Sequence, residues 1–130
     1  MNPTPDIADR FVTFLETTEN PGDLFTAGVF CDFNVPRWRY QFKGVEELAN
    51  QIRHDKPNVI TVRHVEPTPS GFVLEAEADV QIDGKPYYER TIWLVTTTNG
   101  CIAEVTLYCS GEWDTETRAR QQREAPMLRP

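Results

Sequence analysis

From Asn58 to Ser110 the chain alternates apolar and polar residues in four successive runs: Asn58 to Glu66, Phe72 to Ile82, Tyr87 to Thr97 and Ile102 to Ser110. A period of two marks a pleated strand, because successive side chains leave opposite faces. Four such strands in a row must bury their apolar faces together, on one sheet. The links between them are short. Ser70-Gly71, Asp83-Gly84 and Asn99-Gly100 each supply residues that tolerate positive φ, which favours antiparallel hairpins over parallel crossovers.

What precedes this meander must cover it. Thr4-Pro5-Asp6 reads as a helix cap with proline at the first helical position, and Ile7, Phe11, Phe14 and Leu15 recur at helical spacing, predicting a helix over about 5–18. Asn20-Pro21-Gly22-Asp23 repeats the cap signal and predicts a short second helix through Leu24-Phe25, stopped near Gly28. Val29 to Phe33 reads as a strand. A loop follows, holding Pro36 and the aromatic and basic cluster Arg37-Trp38-Arg39-Tyr40-Gln41-Phe42, and then a third helix with Val45, Leu48, Ala49 and Ile52 on its apolar face. After the meander, Asp114 to Glu124 is polar in both charge signs, so 115–130 is expected to be a solvated helix or tail. No linker, repeat or low-complexity segment interrupts the chain, and 1–130 is expected to be one α+β domain with three N-terminal helices on one face of the sheet.

Several function classes drop out. A net charge of −7 with no Lys/Arg cluster argues against a nucleic-acid partner, and no apolar run approaches the ~20 residues of a membrane span. The first residues lack the basic and apolar regions of an export signal, so the expected address is cytoplasmic. Cys31, Cys101 and Cys109 form no C-x-x-C pair and sit in apolar stretches, where they read as reduced, buried small hydrophobes. Two histidines without ligand spacing offer no metal site, and no phosphate loop or nucleophile elbow is present, so no cofactor is expected and any chemistry must use side chains alone.

The run Phe72 to Ile82 separates by parity: Phe72, Leu74, Ala76, Ala78, Val80 and Ile82 form an apolar set that faces inward. Ala76 and Ala78 leave space at its centre, either for a ligand or for a bulky helix residue such as Phe11 or Phe14. In the last run Val105, Leu107 and Cys109 are the inner set. The run from Tyr87 stays open, because Glu89, Thr91, Trp93 and Val95 alternate with the equally mixed Tyr88, Arg90, Ile92 and Leu94.

The order of elements resembles the SnoaL-like branch of the nuclear-transport-factor-2 superfamily. It does so through Leu24-Phe25 leading into the first strand, Gly44-Val45-Glu46-Glu47-Leu48, Asp83-Gly84-Lys85-Pro86 and Asn99-Gly100-Cys101-Ile102. The ending Tyr108 to Asp114 is similar to an actinobacterial subgroup. The resemblance implies a cone: helices packed on a strongly curved, mostly antiparallel sheet around an apolar pocket for a small hydrophobic molecule, in a protein that is commonly a homodimer. It also implies that Glu89, Thr91, Trp93 and Val95 face the cavity, which leaves Arg90 on the outer face near Glu75, Glu77 and Asp79. Known chemistries of the group do not transfer. The isomerase tyrosine falls on Phe11, its aspartate base near Phe33 and its oxyanion-stabilising acid on Trp93. Of the epoxide hydrolase set, Asn34 and Asp79 match, but the arginine meets Glu77 and the second aspartate meets Leu107.

Within that frame Glu89 is the candidate base, because a carboxylate on the cavity side of a strand is desolvated. A one-residue bulge would put it in solvent. His64 shares a parity with Ile60 and Val62 and is the candidate proton carrier, or else a hydrogen-bonded core histidine. His54, at the end of the third helix, is explained by the helix dipole. Asp32 and Asn34 share a parity beside the aromatic loop, where they would hydrogen-bond a ligand or face solvent. Trp38, Tyr40 and Trp113 would form a stacking rim or plug the open end. Ala76, Ala78, Thr91, Trp93, Leu107 and Cys109 complete the expected pocket. Three functions stay open: a cofactor-free acid–base enzyme such as an isomerase, cyclase, dehydratase or epoxide hydrolase, a binding protein without chemistry, and a dimeric interaction module.

Overall fold

The computed structural model describes residues 3–129, with side chains from Ile7 onward. Its elements run α1 (Pro3–Thr17), β1 (Phe25–Val35), β2 (Trp38–Lys43), α2 (Val45–Ile52), β3 (Val59–Thr68), β4 (Gly71–Ile82), β5 (Lys85–Thr98), β6 (Cys101–Cys109), β7 (Trp113–Asp114) and α3 (Thr115–Glu124). The strands form one curved, unclosed mixed sheet in the order β2-β1-β6-β5-β4-β3, with β7 paired to β5. Every pairing is antiparallel except that of β1 with β6, which is parallel. This is the α+β cone expected from the resemblance. No helix among the described residues is long and apolar enough to cross a membrane.

The helical stripe of α1 packs on the inner face of the sheet: Ile7, Ala8, Phe11, Phe14 and Leu15 are all buried. The helix ends where Thr18 takes φ 57 and donates its N–H to the Phe14 carbonyl at 2.7 Å. The expected Thr4 cap lies outside the described side chains. Gly44, at φ 97, opens α2, which buries Leu48, Ala49 and Ile52. Asp114 caps α3 by accepting from the Thr117 N–H at 2.7 Å, and that helix buries none of its residues.

Two expected elements are replaced by strand. Leu24-Phe25 does not make a helix. The Asn20 side chain accepts from the Gly22 N–H at 2.9 Å and closes a local turn, Gly22 takes φ 93, and the Leu24 carbonyl accepts from Ile102 N at 2.7 Å. The Asx residue caps a turn instead of a helix because the sheet claims the backbone that follows. The aromatic and basic cluster is likewise strand β2, joined to β1 by a turn in which Arg37 takes φ 65, so that Val35 faces Trp38 across the hairpin. The helices before the meander are therefore two, and the third, α3, follows it.

The four runs of the meander form β3 to β6, and the Asp83-Gly84 and Asn99-Gly100 turns have positive φ at both residues, as their chemistry requires. Gly71 serves a different purpose from the one expected. Its φ lies outside the left-handed region, but a Cβ there would lie 1.9 Å from the Val95 carbonyl oxygen of the neighbouring strand. Gly71→Ala must therefore push β4 from β5, and we expect a loss of roughly 2–4 kcal/mol in urea unfolding. A loss below about 0.5 kcal/mol would contradict the close approach.

On the outer face, Glu77 is buried although charged. It accepts hydrogen bonds from Arg63, Tyr88 and, at 2.9 Å, Arg90, whose guanidinium also reaches Glu75 at 3.6 Å. Burial pushes the Glu77 carboxyl up, but the bonds from Tyr88 and Arg63 outweigh it and hold the group below its ordinary value. Arg118 of α3 lies 3.8 Å over the Tyr88 ring and ties the last helix to this lattice.

Candidate functional site

The two N-terminal helices and the inner sheet face leave a cavity of about 110 Å³ between them. At the ~10–15 Å³ one water needs, this is room for roughly eight. β5 contributes Glu89, Thr91 and Trp93, the parity that periodicity left open. Register then places Ala78 beside Glu89 on β4, and Cys109 and Leu107 beside Thr91 and Trp93 on β6. β1 and β2 add Phe33, Val35 and Tyr40, and Ile60 of β3 completes the sheet wall. The helices close the other side with Leu15, Gln51 and Ile52, and the loop after α2 brings in His54 and Asn58. Glu112, after β6, is exposed and lines the rim.

Apart from Glu89 and Thr91, the sheet side of the cavity is apolar and aromatic. Phe33 meets Trp93 at 5.6 Å between centroids with an interplanar angle of 79°, and Tyr40 at 5.6 Å and 59°. Glu89 sits among them with the Cys109 thiol as its hydrogen-bond donor, Sγ to Oε2 3.6 Å. Burial pushes the Glu89 carboxyl above its ordinary value, the Glu112 charge adds to this, and His54 and the thiol oppose it only in part. Burial and the Glu89 charge push the Cys109 thiol up to about 12, so it stays protonated and donates. Tyr40 is raised too, by burial and then by neighbouring negative charge, and its phenol donates to Gln51 Oε1 at 2.9 Å.

The state of His54 follows from its neighbour. Asn58 donates its amide Nδ2 to the carbonyls of Leu15 at 2.9 Å and Ile52 at 3.0 Å, so its Oδ1 is the atom 2.8 Å from His54 Nδ1. An oxygen only accepts. Nδ1 therefore carries the proton, and in the neutral ring Nε2 is the basic nitrogen. Among the described residues that line the cavity there is no lysine or arginine.

Of the expected pocket residues, Glu89, Tyr40, Ala78, Thr91, Trp93, Leu107 and Cys109 line one cavity. Ala76 belongs to the packed core instead, two residues and one pleat away from Ala78. His64 is on the outside. Val62 pairs with Ala76 and His64 with Glu75, so Arg63 is an extra residue and the bulge reverses parity within the strand. The imidazole is exposed and its Nε2 is 2.7 Å from Glu66. Asp32 and Asn34 face away from the cavity, because Cys31 and Phe33 hold the inner parity of β1. Asp32 accepts from Arg39 Nε and Nη2 at 3.0 and 2.7 Å, and Asn34 donates to the Leu107 carbonyl at 3.1 Å. Trp38 is 71% exposed at the start of β2, and Trp113 packs on Tyr88 of the outer face at 5.6 Å. Asp79 is exposed on that face too, 3.6 Å from Arg118. His54, Gln51, Asn58 and Glu112 were not expected at the site. No periodic signal marks them, since they lie in loops or on the polar side of α2.

No protein-family model matches the sequence, and neither does any curated protein. Solved structures do match. An NTF2-like protein from Anabaena variabilis ATCC 29413 is 19% identical with a TM-score of 0.67, over 84% of this chain and 90% of that one. A protein of Jannaschia sp. CCS1 described as a SnoaL-like polyketide cyclase is 12% identical, TM-score 0.65, over 96% of this chain and 94% of its own. A protein of ketosteroid isomerase-like fold from Catenulispora acidiphila DSM 44928, in complex with trimethylamine, is 20% identical, TM-score 0.65, over 88% and 89%. At these identities the likeness is one of fold.

Proposed function

With the fold of the nuclear-transport-factor-2-like proteins as its frame, we propose that this chain binds a small hydrophobic molecule in the cavity and that Glu89 moves a proton on it. The observation that carries this reading is the placement of one desolvated carboxyl in an aromatic cavity, with a neutral thiol as its hydrogen-bond donor. A carboxyl raised above its ordinary value holds its proton closer to neutral pH and is a stronger base once ionised. His54, which lines the cavity, takes the role that the strand pattern suggests for His64, which is exposed outside it. Its Nε2 is the second proton carrier, and Asn58 fixes the tautomer. Trp93, Phe33 and Leu107 exclude water from the reacting atoms, which strengthens every charge interaction inside. The reading also fits the Catenulispora neighbour, whose ligand trimethylamine is of a size this cavity can hold.

The test is hydrogen exchange at carbon. Small ketones of about eight non-hydrogen atoms or fewer, the number of water-sized units the cavity holds, are incubated in D2O with the protein and followed by proton NMR. We expect α-proton signals of at least one ketone to decay faster than in protein-free buffer, and Glu89→Gln to abolish the gain. If no ketone exchanges faster, or the variant exchanges as fast as its parent, Glu89 moves no proton. A second reading, binding without chemistry, is favoured by what the resemblance implies, namely that the ionisable groups of the isomerases fall on Phe11, near Phe33 and on Trp93 here. Saturable binding without exchange selects it.

A further inference from the structure

Resting on the reading of this cavity as a small-molecule site, we propose that its ligand is a small amine, bound as the ammonium cation beside Glu89 with its alkyl groups against Phe33, Tyr40 and Trp93. The first reason is the sign of the charge. Glu89 lies within the cavity and Glu112 on its rim, and among the described lining residues no lysine or arginine balances them. An anionic ligand would meet two carboxylates in a place where burial magnifies repulsion, and a neutral ligand would leave Glu89 relieved only in part, by His54 and the Cys109 thiol.

The second reason is the shape of the walls. Phe33 and Trp93 stand at 79° to each other and Phe33 and Tyr40 at 59°, so the rings form separate sides of the space instead of a closed stack. A cation placed among such sides is attracted by ring faces while its substituents stay in apolar contact. Phe33 and Trp93 are 2% and 3% exposed, so this attraction acts out of water.

The third reason is hydrogen bonding. An ammonium N–H needs an acceptor, and the cavity supplies the Glu89 carboxylate. The thiol and the phenol are donors held by Glu89 and Gln51. Glu112, exposed at the rim, draws cations toward the opening. A bound cation would oppose the burial that raises the Glu89 carboxyl and would favour its ionised form.

Calorimetric titration of the full chain with three small branched probes of different charge, all within the roughly eight non-hydrogen atoms the cavity holds, tests this: trimethylammonium chloride, tert-butanol and sodium pivalate at matched ionic strength. We expect the cation to bind at least tenfold tighter than the alcohol, pivalate to give no saturable heat, and Glu89→Gln to weaken the cation at least tenfold. Equal affinity for cation and alcohol, with ketone exchange intact, would overturn the amine proposal and leave proton transfer standing. Preference for pivalate would overturn it outright. If no probe binds and no ketone exchanges, both readings fail together.

Discussion

Glu89→Gln is expected to slow proton transfer in the cavity by roughly 10²–10⁴-fold, the contribution of a placed acid–base group, and at the same time to make the protein more stable at neutral pH. The two effects share one cause. Burial and the Glu112 charge hold the Glu89 carboxyl above its value in the unfolded chain, so the folded state keeps this proton the more tightly. The stability linked to that proton is fully present below the unfolded value of ~4.3 and is lost as pH rises through the folded one. Above that range the ionised carboxylate costs free energy in the cavity, and glutamine does not. Melting curves should therefore nearly coincide for variant and parent near pH 4. Near pH 8 the variant should melt a few degrees higher, since ~1 kcal/mol corresponds to roughly 3–5 °C in a domain of this size. A variant that melts lower at pH 8 would mean the carboxylate is satisfied there and is no strained base.

Phe11→Ala is expected to cost about 3–5 kcal/mol, enough to lower Tm by roughly 10–20 °C. The ring is fully buried and meets three others edge-on: Phe25 at 6.3 Å, Phe72 at 6.2 Å and Trp93 at 5.3 Å. It is where α1 joins the first strand, the start of β4 and the cavity wall on β5. Rings held at these angles cannot collapse into the space an alanine leaves, so the lost transfer energy and the cavity add. Trp93 would lose the support that fixes it against the site, and ligand binding should weaken as well. Urea unfolding followed by the tryptophan signal measures the first effect, and a loss under about 1 kcal/mol would show that the core repacks around the gap.

What the sequence could show by itself was whatever rests on neighbours a few residues apart. The period of two in Phe72 to Ile82 and the positive-φ turns at Asp83-Gly84 and Asn99-Gly100 are local, and β4, β5 and their hairpin stand where they were expected. The stripe Ile7, Phe11, Phe14, Leu15 is local too. At β2 the same logic fails, because Arg37, Trp38 and Arg39 hide the alternation of Tyr40 and Phe42, and only pairing with β1 makes that segment a strand. At Leu24-Phe25 a turn residue that also caps helices was overruled by the hydrogen bond from Ile102, a partner far along the chain.

The site divides in the same way. Inner parity on β4 and β6 was legible, whereas that of β5 needed the resemblance, because both its faces carry apolar and polar residues. The bulge at Arg63 turned His64 outward, and no composition signals one inserted residue. His54, Asn58 and Glu112 reach the cavity from loops, placed by contacts such as the Asn58 amide to Leu15 and Ile52. The strand pattern of the meander, its Asp83-Gly84 and Asn99-Gly100 hairpins and the apolar faces of β4 and β6 were thus determined by the sequence alone, since each depends on short-range backbone geometry and on which side chains avoid water. The parallel join of β1 to β6, the parity of β3 and the company Glu89 keeps were decided only by the tertiary structure, because they depend on segments distant in the chain competing for the same hydrogen bonds and the same buried space.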